Sequence, residues 1–154
     1  MSKIKVQQPI VHLPSFKRWM VNRAALVRRL EELGIKPFPE GFAFFNWYYY
    51  TTLEDWGKVL YDLVFKSDLY SPTFKCADYA LQAQTECGKR HGMNSLRMCL
   101  DKRSAEKGHA YDLFPYGNGE GIEGIMLFEP NEGYKWSGIL EIGDEDYKPE
   151  LVLI

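Results

Sequence analysis

The chain has 154 residues, 45% of them hydrophobic and 26% charged, which suits one domain with a substantial core. A net charge of −2 and a pI near 5.9 supply no basic field for nucleic acid or an anionic membrane. No apolar run follows the polar, basic start (Met1–Gln8), none approaches the roughly 18–20 residues that span a bilayer, and three cysteines without a C-x-x-C pattern predict reduced thiols in the cytoplasm.

In chain order, residues 1–14 read as an extended arm, because Pro9 and Pro14 exclude a helix interior. Ser15 is the expected N-cap of a first helix ending near Gly34, with Phe16, Trp19, Met20, Val27, Leu30 and Leu33 at helical spacing. Its Lys17, Arg18, Arg23, Arg28 and Arg29 read as a solvated face. Pro37 and Pro39 predict a loop over 36–40. Residues 42–51 form a strand or buried aromatic segment, with Trp47, Tyr48, Tyr49 and Tyr50 as core or wall. Thr52 caps a second helix, with Asp55 three residues on and Trp56, Val59, Leu60, Leu63 and Val64 as its buried stripe. After a loop over 67–72, a third helix runs from about Thr73 to Arg90.

The periodicity then changes. Residues 94–100, 108–114, 122–128, 138–142 and 150–154 are short apolar runs between Gly, Asn, Asp and Pro clusters, which predicts antiparallel strands. Helices first and strands later imply an α+β domain: residues 15–70 as a helical half, and 71–154 as a third helix with an antiparallel sheet.

A cysteine nucleophile needs an environment that ionises its thiol, an imidazole within reach and a polar group that orients the imidazole. Cys76, in Phe74-Lys75-Cys76-Ala77-Asp78-Tyr79-Ala80, falls in the first turn of the third helix, where the dipole favours negative charge. His109 follows Gly108 at a strand start, and Glu129 ends an apolar strand before Pro130. Taken singly, each has a bland reading: a buried small hydrophobe, a half-buried histidine, an edge carboxylate.

The ordered set F-K-C-A-D-Y-A, G-H-A-Y-D-L-F and M-L-F-E-P-N, over about residues 70–135, resembles bacterial and phage proteins related to the papain-like C-terminal domain of the fairy-ring mushroom agglutinin. The resemblance implies a papain-like fold and a cysteine hydrolase or acyl-transfer enzyme acting on a peptide or isopeptide bond. Cys76 would be the nucleophile, His109 the general base and acid, and Glu129 the orienter. It implies a protein or peptide as partner and calcium as a promoter of activity; the residues themselves suggest no cofactor. Ala77 stands where the family often has a first aspartate, while Asp78 matches its second. No glutamine precedes Cys76 in the loop where papain-like enzymes place an oxyanion donor, which leaves Tyr70 and Asn46 as candidates. That departure favours a rival reading, a non-catalytic interaction or mobile-element accessory protein on the same scaffold.

Other chemistries fit poorly. Cys76, Cys87, Cys99, His91 and His109 contain no close ligand pair for zinc. Asp144, Glu145 and Asp146 lack EF-hand spacing and read as a solvated turn. Gly117, Gly119, Gly121 and Gly124 lie between strands with no helix following, so they predict a hairpin loop, here a candidate flap over a cleft, and not a phosphate loop.

Overall fold

The computed structural model describes residues 15–39, 41, 43–101 and 108–154. The arm expected over 1–14 lies outside them. The chain is a mixed α+β structure, in which strands from both halves share one six-stranded sheet.

The first helix is shorter than its periodicity suggests. Residues Trp19–Asn22 form strand β1, and helix α1 spans Arg23–Glu32. The spacing of Phe16, Trp19 and Met20 mimics a helix, but Met20 is exposed and Val21 packs on the core, as alternation in a strand requires. Asn22 caps α1 by accepting the Ala25 N–H at 2.8 Å. Lys36–Phe38 form strand β2, where the prolines predict a loop. A proline is tolerated there because β2 is the sheet's edge strand, paired only with β8 (Leu151–Leu153), and in parallel. The sheet is therefore mixed, and residues 15–70 are not purely helical.

Strand β3 (Trp47–Tyr50) pairs antiparallel with β1. Helix α2 (Leu53–Leu60) starts where Thr52 accepts the Asp55 N–H at 3.2 Å. A short 3-10 turn occupies Ser67–Leu69 within the next loop. Helix α3 spans Cys76–His91 and ends at Gly92 in the left-handed conformation. Strands β4 (Arg97–Asp101), β5 (His109–Gly117), β6 (Ile122–Glu129) and β7 (Gly138–Leu140) complete the sheet, in the order β2-β8-β4-β5-β6-β7. Strand β5 continues past Pro115 because its pairing with β4 ends at Leu113, so no ladder bond is lost on that side.

Alternation along the central strands builds a core on each face of the sheet. Tyr111, Leu113 and Leu127 join Leu26 and Leu30 of α1. Phe114 and Phe128 join Trp56, Val59 and Leu60 of α2 and Ala83 and Cys87 of α3. Trp56 donates its indole N–H to the Pro115 carbonyl at 2.8 Å, which fastens α2 across β5. Helix α3 thus lies along the sheet with its N-terminus beside the start of β5. Among the described residues, no helix is long and apolar enough to cross a membrane.

The glycine-rich segment is the β5–β6 hairpin turn. At about 3.3 Å per residue, the nine residues of β5 put its turn at the far end of the strand from His109. It packs by Trp19, where a Cβ on Gly119 would clash with the indole. The flap reading is corrected on that ground.

Candidate active site

Helix α3 starts later than Thr73. Ser71 and Phe74 close a tight turn by reciprocal backbone bonds of 2.9 and 3.2 Å. Lys75 then takes the N-cap position, and Asp78 accepts the Lys75 N–H at 2.8 Å. Asp78 is thus a helix-capping carboxylate. The shift makes Cys76 the first helical residue, where free N–H groups and the dipole favour an anion.

Cys76 is partly buried. Its sulfur lies close to His109 and to the backbone N–H groups of Ala110 and Ala77, all of which favour its charged form. Ala110 lies beyond the last β5–β6 pair, Asp112–Phe128. The site therefore sits just beyond the end of the β5–β6 ladder.

His109 opens β5 and is buried. Its Nε2 lies 2.6 Å from Glu129 Oε2. With Nε2 committed to the carboxylate, Nδ1 is the nitrogen left to face the thiol. Glu129 is 1% exposed, and its oxygens are well supplied with donors: Asn131 N–H reaches Oε1 and the Tyr147 hydroxyl reaches Oε2, each at 3.1 Å. Asn131 Oδ1 in turn accepts the Gly133 N–H at 2.9 Å, which tightens the turn after β6.

The nucleophile and acid segments are tied together. Tyr79, in the first turn of α3, donates its hydroxyl to the Lys66 carbonyl at 2.8 Å. Phe65 donates its N–H to the Pro130 carbonyl at 2.7 Å and accepts the Glu132 N–H at 2.9 Å. The loop before Cys76 and the loop after Glu129 thus form one hydrogen-bonded wall.

Electrostatics favour charge separation. The hydrogen bond from His109 holds the Cys76 thiol below its ordinary range; burial opposes this, and the Ala110 and Ala77 amides add to the lowering. Burial alone pushes the imidazole of His109 down. Hydrogen bonds to Cys76 and Glu129, with the charge of each, outweigh it and hold His109 at about 9. Both shifts act in the direction of a thiolate beside an imidazolium. Cys87 and Cys99 contrast with it, since full burial pushes both thiols far up.

Three of the five candidate residues named from the sequence, Cys76, His109 and Glu129, come together. Tyr70 lies at the same end of α3, half exposed, with its N–H on the Ser67 carbonyl at 3.0 Å. Asn46 lies elsewhere. Its carbonyl accepts the Arg23 N–H, and neighbouring Trp47 is bonded to Asn94, beyond the C-terminal end of α3. The 16 residues of α3 at about 1.5 Å each separate that end from Cys76, so Asn46 is no oxyanion donor.

Sequence reasoning missed the aromatic box around His109. Tyr134, Tyr111 and Tyr147 place their ring centroids 4.5, 5.4 and 5.8 Å from the imidazole. Alternation with His109 could have flagged Tyr111. Nothing local marks Tyr134 or Tyr147.

Among the described residues, no three His, Cys, Asp or Glu side chains gather as ligands. Asp144–Asp146 form an exposed 3-10 turn, in which Asp144 accepts the Glu141 N–H at 2.9 Å.

Comparison of the chain with protein-family models, with curated proteins and with solved structures gives no match.

Proposed function

We propose that the chain is a papain-like cysteine hydrolase or acyl-transfer enzyme acting on a peptide or isopeptide bond. One observation carries this reading: Cys76 at a helix start lies beside buried His109, whose Nε2 is hydrogen-bonded to buried Glu129. The helix packed against the sheet, and the likeness of the three short motifs to the agglutinin-related proteins, support the papain-like assignment.

In the proposed reaction the Cys76 thiolate attacks the carbonyl carbon. A C–S bond forms and the carbonyl oxygen becomes an oxyanion. The Cys76 backbone N–H, at the first helical position, is placed to bind it. The His109 imidazolium donates its proton to the leaving amine as the C–N bond breaks. Neutral His109 then takes a proton from water, the hydroxide attacks the thioester, and the C–S bond breaks to release the acid and the thiolate. An amine in place of water gives acyl transfer. Glu129 holds the imidazole in the tautomer and orientation that both proton transfers need. Proton transfer of this kind is worth roughly 10²–10⁴ in rate. The rival scaffold reading gives no reason for a buried imidazole held at about 9 against a thiol.

The test is a peptidyl vinyl sulfone, which alkylates a thiolate only where an imidazolium can protonate the adduct. The expected result is one adduct on Cys76 by mass spectrometry, absent in Cys76→Ser and reduced at least tenfold in His109→Ala. Adducts spread over all three cysteines, or none on Cys76, would favour the scaffold.

A further inference from the structure

We propose that Tyr147 is a positioning residue that fixes the Glu129 carboxylate on His109 through its phenolic hydroxyl. The inference rests on the reading of Cys76, His109 and Glu129 as a catalytic set, and adds a fourth member to it.

Three observations carry it. First, Tyr147 donates to the same oxygen, Oε2, that meets His109 Nε2. Oε1 is held separately by the Asn131 amide. The carboxylate is thereby pinned at both ends, with its rotation blocked. Second, Tyr147 is buried, and its ring packs edge-on against both His109 and Tyr111. The hydroxyl therefore cannot swing away to solvent. Third, the turn that delivers it is conformationally costly. Gly143, Glu145 and Asp146 all have positive φ, at 100°, 46° and 70°, and two of these are not glycine. The turn closes with Tyr147 N–H on the Asp144 carbonyl at 2.7 Å and Gly143 N–H on the Tyr147 carbonyl at 2.8 Å.

Among the described residues, the groups facing His109 are Cys76 from α3, Asp101 across the ladder from β4, Tyr111 on β5, Glu129 at the end of β6, Tyr134 after it and Tyr147. A hydroxyl proton on Oε2 draws charge from the oxygen that holds the imidazolium. Removing it leaves more negative charge facing His109, so the imidazole should hold its proton to higher pH.

The experiment is an NMR titration of the His109 imidazole in the full chain, unsubstituted and as Tyr147→Phe, each with and without Glu129→Gln. The expected result is a raised His109 titration in the unsubstituted chain and a further upward shift of roughly half a unit in Tyr147→Phe. No added effect of Tyr147→Phe is expected once Glu129 is Gln. An unchanged midpoint in Tyr147→Phe overturns the inference, as does a shift that persists once Glu129 is Gln, which marks a merely structural role. An ordinary midpoint already in the unsubstituted chain would instead overturn the catalytic set itself. Should Tyr147→Phe not fold, the Tyr147 hydroxyl proton decides: protection from exchange that is lost in Glu129→Gln supports the bond, and absence of protection refutes it.

Discussion

In His109→Ala, iodoacetamide labelling of Cys76 at pH 6 is expected to slow by roughly tenfold or more, while Cys87 and Cys99 stay unlabelled in the folded chain. Three effects set the size. Loss of His109 removes the largest influence holding the thiol below its ordinary value, and leaves burial, which acts in the other direction. Each unit of upward shift cuts the thiolate fraction about tenfold below the midpoint. A thiolate of higher pKa is the better nucleophile, which returns about half of that loss on a logarithmic scale. The labelling rate of the unsubstituted chain should therefore rise at lower pH than that of the variant. Turnover has a different profile. It needs the thiolate and the imidazolium together, so it should fall as pH passes about 9, where His109 loses its proton. Equal, slow labelling of all three cysteines would contradict the pairing.

Asp112→Asn is expected to stabilise the fold near neutral pH, by a margin that widens as pH rises. Asp112 lies on β5 three residues beyond His109, fully buried, and neither carboxyl oxygen has a hydrogen-bond partner among the described residues. Burial pushes its pKa well up, the Glu129 charge adds to this, and Arg97 offsets part of it. The folded carboxyl thus keeps its proton where the unfolded one has lost it. The folded state then binds more protons, so stability falls as pH rises above the ordinary carboxylate value near 3.9. The slope is about 1.4 kcal/mol per pH unit while the folded group stays protonated. Asparagine keeps the shape and the polar burial but removes the proton linkage. The variant and the unsubstituted chain should unfold alike in denaturant near pH 4 and diverge as pH rises. Destabilisation by Asp112→Asn at pH 7 would show that the carboxylate is charged and paired.

Much of the local structure was legible in the sequence, because single residues announce it. Thr52 and the stripe from Trp56 to Leu60 mark α2, and the turn clusters bound β5, β6 and β7. The triad candidates were legible as short motifs at the start of a helix, the start of a strand and the end of a strand. The rest depended on long-range pairing. Lys36–Phe38 becomes a strand only because β8, more than a hundred residues later, offers an edge. Trp19–Asn22 becomes a strand because β3 pairs with it, against a spacing that suits a helix. The same holds at the site. Tyr147 follows three acidic residues, and composition alone makes that segment a solvated turn; only the fold brings its hydroxyl to Glu129. Asn46 seemed a plausible donor because nothing local says which end of α3 it occupies.

The most direct test of the account is the ultraviolet absorbance of thiolate across pH, compared between the unsubstituted chain and Cys76→Ser. The account predicts one thiolate that forms at lower pH than the ordinary cysteine value near 8.5. That signal should vanish in Cys76→Ser, since Cys87 and Cys99 are held protonated by burial. A chain with no thiolate absorbance until pH passes that ordinary value would contradict the thiolate–imidazolium pair, and the proposed enzyme with it.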